Sequence, residues 1–338
     1  MRAPDFWWRR TGLAALVLSP LSALYASMAR QRMTREGEHP PIPVICIGNF
    51  VAGGAGKTPT ALAVARIAIE MGLKPVFLTR GYRGFLSGPV LIDQAVHTAA
   101  HVGDEAMLLA RLAPTVVSRD RAAAIPLLAS LDADLCIMDD GFQNPGLAKT
   151  LSMVVIDAAT GAGNGWCLPS GPLRAPMVVQ MRAAGAVVVM GEGSAAGEVV
   201  RAASRAAKPV LRARLAPRNP EAFRGMRVLA FAGIGRPEKF YTALREAGAD
   251  VVDTVSFPDH HPFSTEDARR VLKRADADDL EPVTTEKDEV RLRHGAIAAR
   301  SELAVRAHVF AVDCVFEDPG FVRALIEEAR SDFARGRR

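Results

Sequence analysis

From residue 44 to residue 190, short apolar runs alternate with longer amphipathic stretches. VICIGN (44–49), PVFLT (75–79), DLCIMDD (134–140), LSMVVID (151–157) and GAVVVM (185–190) read as strands. Between them, 58–71, 104–112 and 119–131 read as helices, the last two separated by the apolar run TVVS. Apolar strands taken in turn with helices predict a parallel sheet covered on both faces. The segment 208–226 carries three prolines and scattered arginines and reads as a connector. Beyond it the alternation restarts. RVLAFAGI, DVVDTVSF, VTT and HVFAVDC read as strands, and 236–247, 264–274 and 318–335 as helices, with the basic tail RGRR as a solvated end. Two α/β lobes with a cleft between them are expected.

The chemistry starts at VAGGAGKTPTALA (51–63). A glycine cluster runs into Lys57 and Thr58 between a predicted strand and a predicted helix, the setting in which loop amides and a helix N-terminus hold phosphate. Gly53, Gly54 and Gly56 permit close approach, Lys57 reaches the terminal phosphates and Thr58 can hold Mg²⁺. The position six before Lys57, a glycine in the usual pattern, is Val51. Asp139 and Asp140 end an apolar run, where such a site places its metal-binding acid; Asp140 and Gly141 also read as a turn. Asp104 and Glu105 open a predicted helix, as a cap or as functional carboxylates. FPDHHPFS (257–264) sets His260 and His261 in a loop, solvated or forming a proton-accepting pair with a carboxylate. TRGYRG (79–84) offers Arg80, Tyr82 and Arg83 at a strand tip, as a charged turn or as contacts to phosphate and sugar.

With 338 residues, 49% of them hydrophobic, the chain can build one large or two ordinary cores. A net charge of +5 admits an anionic membrane or a phosphorylated substrate; no basic run is interleaved with aromatics, so nucleic acid is the weakest partner. Cys46, Cys136, Cys167 and Cys314 form no CxxC pair, which suits a reducing compartment and points to neither structural zinc nor a disulfide framework. One stretch departs from an ordinary soluble chain. TGLAALVLSPLSALYASMA (11–29) is uncharged, with Phe6, Trp7 and Trp8 before it and Arg30, Arg32 and Arg35 after it. A cleaved signal peptide fits the flanks but would part a nucleotide loop from its nucleotide. A buried helix would be kinked at Pro20. Paired tryptophans and flanking arginines favour a membrane-associated helix, either spanning or lying flat.

GNFVAGGAGKTP, TRGYRG, VGDEA, DDGFQ, GNGWCLPSGPLRAP, FPDHHPFS and TTEKD occur in this order over almost the whole chain. Together they closely resemble the tetraacyldisaccharide 4′-kinase family of lipid A biosynthesis. The resemblance implies two P-loop/Rossmann-like α/β lobes and an N-terminal anchor helix, with units at 1–35 (membrane helix), 36–215 (kinase domain) and 216–338 (smaller α/β domain). It implies a kinase at the inner membrane, its lobes facing the cytoplasm, with ATP and Mg²⁺ as cofactors and no obligate protein partner in evidence. The γ-phosphoryl group would pass to the 4′-hydroxyl of a tetraacyldisaccharide 1-phosphate, giving lipid IVA. Asp104 would be the base, paired with His260 or with its neighbour His261. Gly53, Gly54, Ala55, Gly56, Lys57 and Thr58 would bind ATP, and Thr58, Asp139 and Asp140 the metal. Asn49, Arg80, Tyr82, Arg83, Glu105, Arg121 and Gln143 would contact substrate or phosphate. Many members carry a glutamate after the arginine of GPLR, where this chain has Ala175. A membrane-bound partition ATPase is the competing class, but its loop carries a lysine where this chain has Ala52.

Overall fold

The structure is a computed structural model that describes residues 3–293 and 298–336. Arg337 and Arg338 of the basic tail lie outside the described residues. A 3-10 turn at Asp5–Trp8 leads into α1 (Leu13–Val17) and α2 (Ser19–Met33). There follow β1 (Val44–Asn49), α3 (Lys57–Glu70), β2 (Pro75–Thr79), β3 (Val90–Leu91), α4 (Ala99–Val102), α5 (Asp104–Ala110), β4 (Thr115–Val117) and α6 (Ile125–Ser130). Next come β5 (Leu135–Asp139), β6 (Leu151–Asp157), α7 (Met177–Ala183), β7 (Ala186–Met190), α8 (Gly197–Arg205) and β8 (Val210–Pro217). The second lobe holds β9 (Arg227–Ala232), α9 (Pro237–Glu246), β10 (Asp250–Ser256), α10 (Thr265–Ala277), β11 (Glu281–Thr285), α11 (Glu286–Leu292), α12 (Ala298–Arg306) and β12 (His308–Phe310). The chain ends in β13 (Val312–Phe316) and α13 (Pro319–Gly336).

The first lobe is a nine-stranded sheet in the order β13-β8-β7-β6-β1-β5-β2-β4-β3. Its pairs are parallel except at the two edges, where β13 runs against β8 and β3 against β4. The second lobe is a parallel sheet in the order β10-β9-β11-β12. β1 lies at the centre of the large sheet and is buried along its whole length. Ile45 and Ile47 pack with Ala61, Val64 and Ala68 of α3 and with Ile326 of α13, whereas Val44 and Cys46 pack on the other face with Phe142 and Met181. Each such fully buried aliphatic side chain contributes roughly 1.5–3 kcal/mol, so the strand that feeds the phosphate loop is a rigid base for it.

Four expectations are corrected here. The 208–226 segment is not a connector: Val210–Pro217 is β8, paired with both β7 and β13. Its arginines and prolines hid a strand whose alternate residues, Leu211 and Ala213, are buried while Arg212 and Arg214 are exposed. HVFAVDC is two strands, because the chain leaves the small sheet after Phe310 and enters the large one at Val312. The expected 216–338 unit therefore gives up its end, since β13 joins the first sheet and α13 packs in the core of α3. The predicted 119–131 helix reduces to a 3-10 turn at Ala122–Ala124 and α6, with Pro126 starting the helix.

Among the described residues no helix is long and apolar enough to cross a membrane. The 11–29 stretch is divided between α1 and α2, and Pro20 begins the second helix rather than kinking a longer one. One face of it docks on the first lobe. Ser22 donates to the Cys167 carbonyl at 2.8 Å, and Tyr25, Ala26 and Met33 pack against the core. The opposite face exposes Leu13, Leu16, Val17, Leu21, Leu24 and Met28. Trp7 and Trp8 serve the protein: the Trp7 indole donates to the Pro169 carbonyl at 2.9 Å, and Trp8 lies under the Arg236 guanidinium.

Candidate active site

The 51–58 loop runs from the end of β1 to the start of α3. Gly56 has φ of 87° and caps α3, a left-handed turn that glycine makes without steric cost. The departure at Val51 has a structural reason. Val51 is buried and forms a β-bridge with Leu173, while the Ala52 N–H donates to the Pro172 carbonyl at 2.8 Å. This end of the loop is stitched to the GPLR segment with φ outside the left-handed region, so it does not need a glycine. Asn49 secures the other side, donating to the Gly53 carbonyl at 2.9 Å and receiving the Gln143 amide on its own carbonyl at 2.7 Å.

At the tip of β5 the two aspartates have different surroundings. Asp139 is buried, accepts the Thr58 hydroxyl on Oδ2 at 2.9 Å, and has no hydrogen-bond partner on Oδ1 among the described residues. Burial, together with the negative charges of Glu105 and Asp140, pushes its carboxyl well above the usual carboxylate range. Asp140 accepts Arg174 at 2.9 Å and faces Lys57 at 3.7 Å; although burial opposes its ionisation, those two cations hold its carboxyl low. DDGFQ is pressed against β1, where a Cβ on Gly48 would meet the Phe142 Cβ at 2.3 Å.

Arg121 lies beneath this pair, 1% exposed, with its Nε unpaired among the described residues and one amino group on the Ser118 carbonyl. Burial depresses its pKa, and the positive charge of the exposed Arg80 adds to the effect. A buried guanidinium with an unused donor, close to a phosphate loop, is suited to an anion.

The second lobe closes the other side of the cleft. His260 Nδ1 lies 2.9 Å from Asp104 Oδ2, joining residues 156 apart in sequence. His261 does not take part, because its Nε2 is 2.8 Å from Asp267 in the capping box of α10 and its ring stacks on Phe257. Tyr82 packs edge-on to the His260 ring at 5.4 Å, and Arg83 donates to the Asp259 carbonyl at 3.0 Å. Arg291 Nε stands 3.5 Å from Asp104, and Lys287 Nζ is 2.6 Å from Glu105. Burial opposes the ionisation of Asp104, but the His260 hydrogen bond and the charges of Lys287, His260 and Arg291 bring its carboxyl down to about 2. Three of the five non-glycine residues with left-handed backbone among the described residues are Arg83, Asp140 and His260. Each such conformation costs about 1–2 kcal/mol, and here the cost falls on loops that face the cleft.

The fold brings Thr58 to Asp139, Lys57 to Asp140, Gln143 to Asn49, and Asp104 and Tyr82 to His260, whereas His261 is set apart on Asp267. Sequence reasoning missed Arg174, Lys287 and Arg291, which sit within the motifs GPLR and TTEKD or just beyond them. The signal for the last two was the four-residue spacing of basic side chains on one helix face.

Known proteins share this sequence and this fold. The family described as Tetraacyldisaccharide-1-P 4′-kinase matches residues 14–330. A tetraacyldisaccharide 4′-kinase of Agrobacterium fabrum is 49% identical over 328 residues, covering 97% of this chain and 94% of the relative. One from Methylobacterium radiotolerans is 52% identical over 307 residues, covering 90% and 94%. The fold is shared with the crystal structure of LpxK from Aquifex aeolicus in complex with ATP: TM-score 0.69, 24% identity, 94% of this chain and 99% of that one. With the family matched along nearly the whole chain and close to half of all residues identical in a full-length relative, the protein belongs to the tetraacyldisaccharide 4′-kinase family.

Proposed function

We propose that the protein transfers the γ-phosphoryl group of ATP to the 4′-hydroxyl of a tetraacyldisaccharide 1-phosphate, the activity for which its relatives are named. The observation that carries this reading is that one cleft holds both halves of such a reaction. Thr58 and Asp139 stand at the phosphate loop, and His260 reaches across from the facing lobe to Asp104. Glu105 and Lys287 interact electrostatically with Asp139 and with Asp104 or its neighbours, so the two halves are adjacent.

Phosphoryl transfer requires mainly positioning and charge stabilisation. The loop amides of 53–56 and the Lys57 ammonium would hold the β- and γ-phosphates, and Arg121 would take a further phosphate oxygen. Asp104, anionic at neutral pH, would fix His260 through Nδ1. His260 Nε2, the ring nitrogen not bound to Asp104, would be the proton acceptor, with Asp104 acting through it. The hydroxyl proton passes to Nε2, the sugar oxygen bonds to the γ-phosphorus, and the bond to the bridging oxygen of ADP breaks. Tyr82 and Arg83, beside His260 at the cleft mouth, would steady the disaccharide.

The unpaired Oδ1 of Asp139 beside the Thr58 hydroxyl fits Mg²⁺. Among the described residues no group of three or more His, Cys, Asp or Glu could hold a metal alone. A Mg²⁺ ion here would therefore rest on Asp139, Thr58 and the nucleotide phosphates, its usual mode, and would neutralise charge on the phosphates.

The substrate carries four acyl chains and stays in a bilayer, which gives the exposed stripe of α1 and α2 a role. Leu13, Leu16, Val17, Leu21, Leu24 and Met28 would lie in the surface of the inner membrane on its cytoplasmic side, where ATP is available, with Arg30, Arg32 and Arg35 near its anionic headgroups. The test is the product: ³¹P NMR of lipid recovered after incubation with Mg·ATP should show a second phosphate monoester at the 4′ position. ATP consumed with no phosphorylated lipid would defeat the proposal.

A further inference from the structure

The TTEKD segment (284–288) supplies no residue of the phosphate loop or of the histidine–aspartate pair. The structure gives it a task. Thr285 caps α11, its side chain accepting the Asp288 N–H. Asp288 is fully buried and accepts the Gly233 N–H and the Arg291 guanidinium, each at 2.8 Å, which fixes the helix to its own lobe. Lys287 and Arg291, one turn apart, then face α5 of the other lobe. Lys287 Nζ meets Glu105 Oε1 at 2.6 Å, Arg291 Nε meets Asp104 Oδ2 at 3.5 Å, and on the flank Arg111 at the end of α5 meets Glu289 at 2.6 Å. The charge of Lys287 also reaches Asp104 and Asp139. Two consecutive carboxylates and Asp139 thus interact electrostatically, and a lysine from the opposite lobe pairs with Glu105 and acts by its charge on the other two.

We infer that Lys287 is a positioning residue for phosphoryl transfer, acting through Glu105 to hold the Asp104–Glu105 wall in place against the phosphate loop. Without its charge the adjacent carboxylates repel one another and Glu105 is free to turn away, carrying the N-terminus of α5, and with it Asp104, out of line with His260. The second lobe then assembles the acceptor side of the reaction only when α11 is seated on α5. The Lys287 and Glu105 side chains are each about one-third exposed, so their ion pair contributes little to the stability of the fold, and substitutions there should leave a folded protein.

The inference rests on the kinase reading above. Its test is steady-state phosphorylation of detergent-dispersed tetraacyldisaccharide 1-phosphate by the full chain and by Lys287→Met, Lys287→Arg, Glu105→Gln and the Lys287→Met/Glu105→Gln pair. Lys287→Met should lower kcat by about 100-fold, the scale of an ångström-level misplacement, with KM for Mg·ATP changed less than about threefold. Lys287→Arg should recover most of that loss. In the Glu105→Gln background, Lys287→Met should cost little more, because the partner through which it acts is already gone. Losses that multiply in the double variant, arginine no better than methionine, or an effect confined to KM for ATP would overturn the inference. Transfer by the unmutated chain with Lys287→Met indistinguishable from it overturns this inference alone. No transfer by the unmutated chain removes the kinase reading, and this inference with it.

Discussion

Replacing Asp104 with asparagine keeps the shape of the side chain and removes its charge. The carboxyl is held at about 2 in the fold, below its ordinary 3.8, in a site with only 4% exposure. At about 1.4 kcal/mol per pH unit, the fold favours the charged form by about 2 kcal/mol. A depressed carboxylate contributes this stability above pH of about 4 and loses it as pH falls through about 2. Asp104→Asn should therefore be about 2 kcal/mol less stable than the parent at pH 7, and the gap should shrink between about pH 4 and pH 2. The effect on rate is larger. Loss of the residue that orients a general base should lower kcat by about 10²- to 10⁴-fold. Urea melts at neutral and acid pH, alongside lipid phosphorylation at saturating ATP, measure both. Transfer within tenfold of the parent, or a stability gap that stays constant into acid, would refute the reasoning.

Lys57→Ala should lower transfer by about 10²- to 10³-fold through loss of phosphate stabilisation. Its ion pair with Asp140 is 3.7 Å long and partly exposed, so the melt should shift by less than about 1 kcal/mol; a large destabilisation would mean the lysine is structural. His261→Ala removes the bond to Asp267 and the stacking on Phe257, and should cost about 1–2 kcal/mol of stability while leaving kcat within tenfold. An activity loss equal to that of His260→Ala would contradict the separation of the two histidines. Leu21→Glu with Leu24→Glu changes two exposed side chains, so stability should move by no more than about 0.5 kcal/mol per substitution. Co-flotation with anionic vesicles should fall sharply, and unchanged flotation would remove the stripe as a membrane contact.

The parts of this protein that depend on neighbours in sequence were legible in it. Residues 44–58 contain a strand, a glycine turn and a helix start in one stretch, and the apolar run ending at Asp139 marks the strand tip beside it. The alternation of runs was enough to predict a parallel α/β architecture. What failed depended on distant partners. Val210–Pro217 looks like a connector because its exposed residues include arginines and one of its two strand neighbours, β13, comes from the far end of the chain. The change of sheet between Phe310 and Val312 leaves no local trace, since both halves read as one apolar run. Trp7 and Trp8 resemble interfacial anchors in isolation, yet they dock on the Pro169 carbonyl and under Arg236. The choice between His260 and His261 likewise required the fold, in which a left-handed His260 turns its ring toward Asp104 and the next residue faces α10.

The central claim is that residues of both lobes serve one transfer. The most direct measurement is the passage of labelled γ-phosphate from Mg·ATP to micellar tetraacyldisaccharide 1-phosphate by the unmutated chain, Lys57→Ala and His260→Ala. Labelled lipid from the unmutated chain, with both variants reduced by at least about 100-fold, is the predicted result. Full transfer by His260→Ala, or labelled inorganic phosphate in place of labelled lipid from the unmutated chain, would contradict it.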